Sequence, residues 1–148
     1  MTAMDTATAG KIELRIPARS EFLSLVRLAA AAIGSQMGFD MDAIDDVKTG
    51  VGEACNNAIQ HASATDRDIQ VVFSLQADQL MVEVRDAGAG FDLSSYSEVD
   101  LDTVAAEDLP DSGYGLLLIQ ALMDEFDCLS QPGAGTVVRM VKRCSRPA

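Results

Sequence analysis

The segment GEACNNAIQHA, residues 52–62, holds an unusual concentration of polar side chains that could take part in chemistry. A carboxylate, two adjacent amides and the single histidine of the chain (Glu53, Asn56, Asn57 and His61) fall within nine residues. Carboxylates accept protons and hydrogen bonds, and amide oxygens bind donors or hard cations. Glu53 and Asn57 are four residues apart, so a helix would bring both side chains onto one face.

The surrounding pattern predicts that helix, which begins at a capping Asp40 or Asp42 and runs to about Ala62. At 100° per residue, apolar side chains form one stripe centred on Val51, and Glu53 and Asn57 lie on the opposite side. Asparagine is a poor helix former, so two of them on a helix surface cost stability without a local gain. A solvated helix surface and a ligand-facing strip both remain open on this pattern alone.

Two glycine-rich segments could approach a ligand closely. In DAGAGFD, Asp86 ends a predicted strand and is followed by Gly88 and Gly90, and its carboxylate could accept a hydrogen bond from an exocyclic amine such as that of adenine. In DSGYG, Gly113 and Gly115 open a predicted helix, whose free N–H groups and dipole would favour an anion. No GK[ST] follows, so this is not a P-loop.

The pattern of elements predicts a single domain with an α+β two-layer sandwich, in which helices pack on one face of a mixed, mostly antiparallel sheet. The domain spans residues 11–144, between a disordered lead at 1–10 and a tail at 145–148, with a loop or lid at about 92–112. The predicted elements are a strand at 12–16, helices at 19–37 and from 40 or 42 to 62, strands at 68–76 and 79–86, a helix at 113–126 and a hairpin at 128–143.

Composition excludes several classes of function. The formal net charge of -12 argues against nucleic-acid binding, which needs a basic face. No apolar run reaches the roughly 18 residues of a membrane span, and the first ten residues lack the features of a signal peptide. Three scattered cysteines without a CxxC pair argue against a disulfide framework or zinc site and predict a reducing cytoplasm.

Charge is distributed unevenly along the chain. No lysine or arginine lies between Arg85 and Arg139, whereas residues 92–127 contain ten acidic side chains. This stretch could be a solubilising surface or a docking face for a basic partner. Asp124, Glu125 and Asp127 lie at the C-terminal end of a predicted helix, where the dipole disfavours negative charge, and this placement favours docking.

The order of these motifs adds a further indication. EACNNAIQHA, DAGAGFD, GYGLLLIQALMDEFD and GAGTVVRM together resemble the N, G1 and G2 boxes of the GHKL ATPase superfamily, which has the Bergerat nucleotide-binding fold. More closely, they resemble the anti-sigma-factor serine kinases of bacteria, of the RsbW and SpoIIAB type, over about residues 11–143. The resemblance implies a histidine-kinase-like ATPase fold that binds ATP and magnesium and works in the cytoplasm as a homodimer. It also implies that the protein sequesters a sigma factor and phosphorylates a serine or threonine of a STAS-type anti-anti-sigma partner.

The resemblance assigns roles residue by residue. Glu53 becomes the general base and Asn57 the magnesium ligand, whereas His61 has a packing or supporting role. The nucleotide-binding positions it implies are the adenine-reading Asp86, the G1 glycines Gly88 and Gly90, the G2 glycines Gly113 and Gly115, and Thr136 near the adenine pocket.

One departure leaves alternatives open. Many relatives carry an arginine in the lid or just before the G2 glycines, and here EDLPDSGYG has none. Besides an anti-sigma kinase, the chain could be a nucleotide-gated binding module without phosphotransfer, or a kinase that acts on regulators other than sigma factors.

Overall fold

The computed structural model of the protein describes residues 10–61, 68–86, 111–131 and 135–144. Most of the predicted lid, Gly88, Gly90, the tip of the last hairpin and nearly all of the two terminal segments lie outside these ranges. The elements in chain order are β1 (Gly10–Pro17), a 3-10 turn (Ser20–Phe22), α1 (Leu23–Met37), α2 (Met41–His61), β2 (Asp68–Leu75), β3 (Gln79–Asp86), α3 (Asp111–Leu122), β4 (Glu125–Gln131) and β5 (Gly135–Arg143).

The five strands form one sheet in the order β1-β2-β3-β5-β4, and all four pairings are antiparallel. This confirms the predicted α+β architecture with a mostly antiparallel sheet. The alternation of strand residues gives the sheet an apolar inner face, on which α2 packs against β2, β3 and β5. Among the described residues, no helix is long and apolar enough to cross a membrane.

The apolar stripe of α2 is the centre of the core, as the helical periodicity predicts. Val47, Val51 and Ala54 have no exposed surface, and they share one cluster with Phe73 of β2 and Val82 of β3. α1 and α3 flank α2, one on each side. Because one helix lies between two others on the sheet, only a narrow strip of α2 is left for a ligand.

The ends of the helices follow local signals in part. Asp40, and not Asp42, caps α2, because its Oδ1 accepts a hydrogen bond of 2.8 Å from the Ala43 N–H. α1 ends at Gly38, whose φ of 87° is a left-handed conformation that favours glycine. The predicted start of α1 at residue 19 is wrong, since a 3-10 turn precedes Leu23 and no side chain caps either element.

Both bounds of the helix predicted at 113–126 are also wrong. α3 begins at Asp111, within the predicted lid, and ends at Leu122, and β4 begins at Glu125. After Leu122 the chain pairs with β5 and does not continue as a helix. The Asp124 N–H donates a hydrogen bond to the Val141 carbonyl, and the Asp124 carboxylate accepts one from the Arg143 N–H. Glu125 also forms an ion pair with Arg143. Asp124 and Glu125 do follow the end of α3, but their bonds to Arg143 account for their placement, which therefore no longer favours docking.

An ion cluster on the outer face of the sheet holds β3 against β5. Glu83 lies opposite Arg139 in the ladder, and its carboxylate accepts hydrogen bonds of 2.7 Å from Arg85 and 2.9 Å from Arg139. Partial burial raises the pKa of Glu83, but the hydrogen bonds and charges of the two arginines outweigh this effect and hold the pKa below its usual value. The same ladder places Asp86 directly opposite Thr136.

This cluster predicts a specific dependence of stability on pH. A carboxyl group whose pKa is lower in the folded state adds stability above its unfolded-state pKa and loses it as pH falls through the folded-state value. We therefore expect Glu83→Gln to lower the melting temperature near pH 7, with a difference that shrinks below about pH 4.5. Thermal denaturation of both proteins, from pH 7 to below pH 4.5, measures this difference in melting temperature. Glu21→Gln, which alters an exposed carboxylate in the 3-10 turn, is the control, and a Glu83 difference that stays constant into acid would contradict the prediction.

Candidate functional site

A lysine fixes the two helices of the site relative to each other. The Lys142 ammonium of β5 forms an ion pair of 3.0 Å with Asp46 of α2. It also donates a hydrogen bond of 2.8 Å to the carbonyl of Leu122, the last residue of α3. Lysine at a helix C-terminus satisfies a carbonyl that has no partner within the helix, and complements the helix dipole. One charge thus ties α2, α3 and the end of β5 together.

A second contact between α2 and α3 lies seven residues from this anchor along each helix. A methyl group placed on Gly115 would lie 3.1 Å from Oε2 of Glu53, so the carboxylate rests against the Gly115 backbone. Seven residues correspond to about 10 Å of helix, which means that α2 and α3 run antiparallel, side by side. Glu53 therefore lies near the N-terminal end of α3.

Asn57 is the most unusual polar group of the site. It is 4% exposed, and among the described residues no hydrogen-bond partner reaches its Oδ1. A buried amide oxygen without a partner costs about 1–3 kcal/mol, so such atoms are rare unless they serve a ligand. Glu53, one turn earlier, is only partly buried. Asn57 is therefore enclosed by the fold, and Glu53 partly so, which means that this part of α2 is not a fully solvated helix surface.

The sheet supplies a second group of polar residues on its inner face. Asp86 at the end of β3 lies opposite Thr136 of β5, which is 3% exposed. The ladder thus joins two residues that are fifty positions apart in the chain and that the sequence assigned to one pocket. One step inward, the neighbouring row consists of Val84, Val138 and Cys128. A polar row beside an apolar row is suited to a flat heterocycle with polar edges.

The structure describes some, but not all, of the remaining predicted site residues. Gly88 and Gly90 lie outside the described residues. Gly113 and Gly115 are the third and fifth residues of α3, inside the helix and not before it. Gly113 is among the first four residues, whose N–H groups have no partner within a helix, and Gly115 lies beyond them. His61 is the last residue of α2.

Two residues near the site were not predicted from the sequence. Cys128 is close enough to Asp86 to feel its charge: burial raises the pKa of the Cys128 thiol to about 12, and the charges of Asp127 and Asp86 add to the effect. Arg27 of α1 covers the other side of α2, since a methyl group on Gly52 would lie 2.7 Å from its Nε. Neither residue is part of a motif, because strand register and helix packing bring them there.

Comparison with known proteins agrees with this geometry. The profile of the histidine kinase-like ATPase domain family matches residues 16–142. A protein of Bacillus cereus strain G9842, described as serine-protein kinase RsbW, is 39% identical over 128 residues, which are 83% of this chain and 79% of the relative. The chain belongs to the RsbW-type serine-protein kinases. A Bacillus anthracis kinase of the same name is likewise 39% identical over 127 residues, with 83% and 79% of the two chains covered.

Solved structures support the fold of this RsbW-type kinase. The RsbU and RsbW domains of a Mycobacterium tuberculosis protein superpose with a TM-score of 0.69 and 23% identity, over 95% of this chain. This chain spans only 34% of that longer protein. The histidine kinase domain of a blue-light activated kinase from Erythrobacter litoralis matches with a TM-score of 0.52 and 20% identity, covering 98% of this chain and 72% of that one.

The residues present fit a nucleotide with a bound cation. Asn57 offers a buried oxygen that has no partner in the described chain, and magnesium prefers oxygen ligands while retaining water and phosphate oxygens. Within the same residues, no group of three histidine, cysteine or acidic side chains could hold a metal ion. Asp86 can accept a hydrogen bond from an adenine amine, and Thr136 lies beside it.

The two neighbouring asparagines allow a matched test of the Asn57 oxygen. Without ligand, we expect Asn57→Ala to change the free energy of unfolding by less than about 1 kcal/mol, because removing an unpaired buried amide offsets the lost packing. We expect the same variant to lose most of the stabilisation by Mg·ATP, which is about 2.7 kcal/mol at one hundred times Kd. Asn56→Ala, at a partly exposed position, should retain it. Equal Mg·ATP shifts for both variants in thermal denaturation would contradict a ligand role for Asn57.

Proposed function

We propose that this RsbW-type kinase binds Mg·ATP and transfers the γ-phosphate to a serine or threonine of a STAS-type anti-anti-sigma protein. We further propose that it sequesters a sigma factor when that partner is phosphorylated, and that it acts as a cytoplasmic homodimer. The observation that carries the proposal is the buried Asn57 oxygen, one turn from a carboxylate that lies against the N-terminal part of α3.

Each part of the nucleotide has a counterpart in the site. The N–H groups at the start of α3, near Gly113, would face the phosphates, where the helix dipole favours negative charge. Asp86 would accept a hydrogen bond from the adenine amine, with Thr136 beside it and Val84, Val138 and Cys128 as the apolar floor. Asn57 would hold magnesium, which supplies charge neutralisation at the phosphates. Gly88 and Gly90 lie outside the described residues and keep the nucleotide-binding role that the resemblance implies.

The chemical step requires little covalent assistance from the protein. The hydroxyl oxygen of the partner forms a bond to the γ-phosphorus, the bond to the ADP oxygen breaks, and the hydroxyl proton passes to a base. Glu53 would accept this proton, and its position four residues before Asn57 on the same helix and against α3 supports that role. The described part of α3 contributes no cation, so the helix start and magnesium carry the neutralisation.

Phosphotransfer to a STAS-domain protein from the same genome tests the proposal directly. With radiolabelled ATP, we expect label to appear on a serine or threonine of that protein. Glu53→Gln should lower the rate by about 100-fold or more while Mg·ATP affinity changes little, because a general base contributes roughly 10²–10⁴ to rate. Binding measured by calorimetry separates the two effects.

Asp45→Asn, which alters an exposed carboxylate on the same helix, is the control and should transfer phosphate at the wild-type rate. Mg·ATP binding without any transfer would favour a nucleotide-gated binding module. Transfer to a STAS partner without capture of a sigma factor would favour a kinase of other regulators.

Base recognition can be tested separately at Asp86. We expect Asp86→Ala to weaken ATP binding by at least tenfold and to abolish the preference for ATP over GTP, because the acceptor for the adenine amine is lost. Asp78→Ala, at the turn before the opposite end of β3, should leave both unchanged. Calorimetric titration with the two nucleotides measures the effect, and an unchanged preference would exclude Asp86 as the adenine acceptor.

A further inference from the structure

We propose that Gly115 is a positioning residue for phosphotransfer: its missing side chain provides the space in which the Glu53 carboxylate is held. This inference rests on the proposed role of Glu53 as the general base. The contact that motivates it is the 3.1 Å between Oε2 of Glu53 and a methyl group placed on Gly115. Such a separation is shorter than ordinary van der Waals contact, so alanine would displace the carboxylate by a few tenths of an ångström.

Backbone conformation does not explain a glycine at this position. Among the described residues the glycines with positive φ are Gly38 and Gly135, so Gly115 has a backbone that alanine adopts equally well. It is the fifth residue of α3, and in a helix interior glycine is less favourable than alanine. The residue is also buried. Glycine at this position therefore lowers the stability of α3, and the space that it leaves is occupied by the Glu53 carboxylate.

Phosphate binding does not explain it either. A helix leaves only its first four N–H groups without internal partners, and Gly115 lies beyond them. Gly113, two residues earlier, is among them and remains the candidate for a phosphate contact. The two glycines of the GYG segment thus have different functions: one presents its N–H to the nucleotide, and the other makes room for the side chain of α2.

A double-mutant cycle on the ligand-free protein tests the contact itself. If the Glu53 carboxylate opposes a methyl group at Gly115, Gly115→Ala should raise the melting temperature by about 2–4 °C in a Glu53→Ala background. In the wild-type background the gain should be clearly smaller. Equal gains in both backgrounds would overturn the proposal, because the methyl group would then not meet Glu53.

Phosphotransfer to the STAS-domain protein then tests the functional consequence. Gly115→Ala should lower the rate constant by about tenfold or more, with Mg·ATP affinity within about threefold, because small displacements of a reacting group have large effects on rate. In a Glu53→Asp background, whose carboxylate is one methylene shorter, Gly115→Ala should cause no further loss. An equal loss of rate in both backgrounds, or an unchanged rate in the Gly115→Ala single variant, would overturn the positioning role of Gly115.

Gly50→Ala is the matched control, since it adds a methyl group to the same helix interface. That methyl group would lie 3.3 Å from Sδ of Met123, a flexible side chain that can move aside, so the rate should stay at the wild-type value. The melting cycle needs no nucleotide and no partner. If Glu53→Ala still transferred phosphate, the role of Glu53 as base would fail, while the cycle would still report whether Gly115 and Glu53 are in contact.

Discussion

The ammonium group of Lys142 bridges three elements, and the geometry of the site depends on it. It pairs with Asp46 of α2 and bonds to the last carbonyl of α3, and its own position is set by the β3–β5 ladder. Its side chain is only 15% exposed, so the ion pair is screened less than a surface pair would be. From this anchor α2 and α3 run side by side until Glu53 meets Gly115. The Lys142 contact at one end of the helix pair thus sets the distance between the Glu53 carboxylate and the start of α3 at the other end.

The site also shows where the fold accepts a cost in stability. An amide oxygen of Asn57 is buried without a partner in the described residues, and a glycine occupies a helix interior at Gly115. Both choices lower the stability of the ligand-free domain. Each makes sense when the space between α2 and α3 is built for a nucleotide and a reacting hydroxyl. The large apolar cluster around Val51 and Phe73 supplies the stability that such a site requires.

Much of this arrangement could be predicted from the chain alone. The 3.6-residue period of α2 placed Val51 in the core, where the structure finds it, and predicted that Glu53 and Asn57 share one face. Gly38 and Asp40 act within one turn of themselves, so their roles at helix ends are local properties. The order of motifs along the chain indicated the family, which the match to the histidine kinase-like ATPase profile confirms. The roles of Glu53, Asp86 and Thr136 remain predictions that the geometry supports.

Only the tertiary structure decided how far the polar strip is enclosed. Periodicity gives the direction of a side chain but not what covers it, so the burial of Asn57 depends on packing by elements distant in sequence. MDEF has helical propensity, yet Asp124 and Glu125 turn toward β5 because hydrogen bonds and an ion pair with Arg143 are available there. The proximity of Cys128 to Asp86 follows from strand order, and the contact of Gly115 with Glu53 from helix packing. The sequence determined the chemical groups of the site, and long-range contacts determined the distances between them.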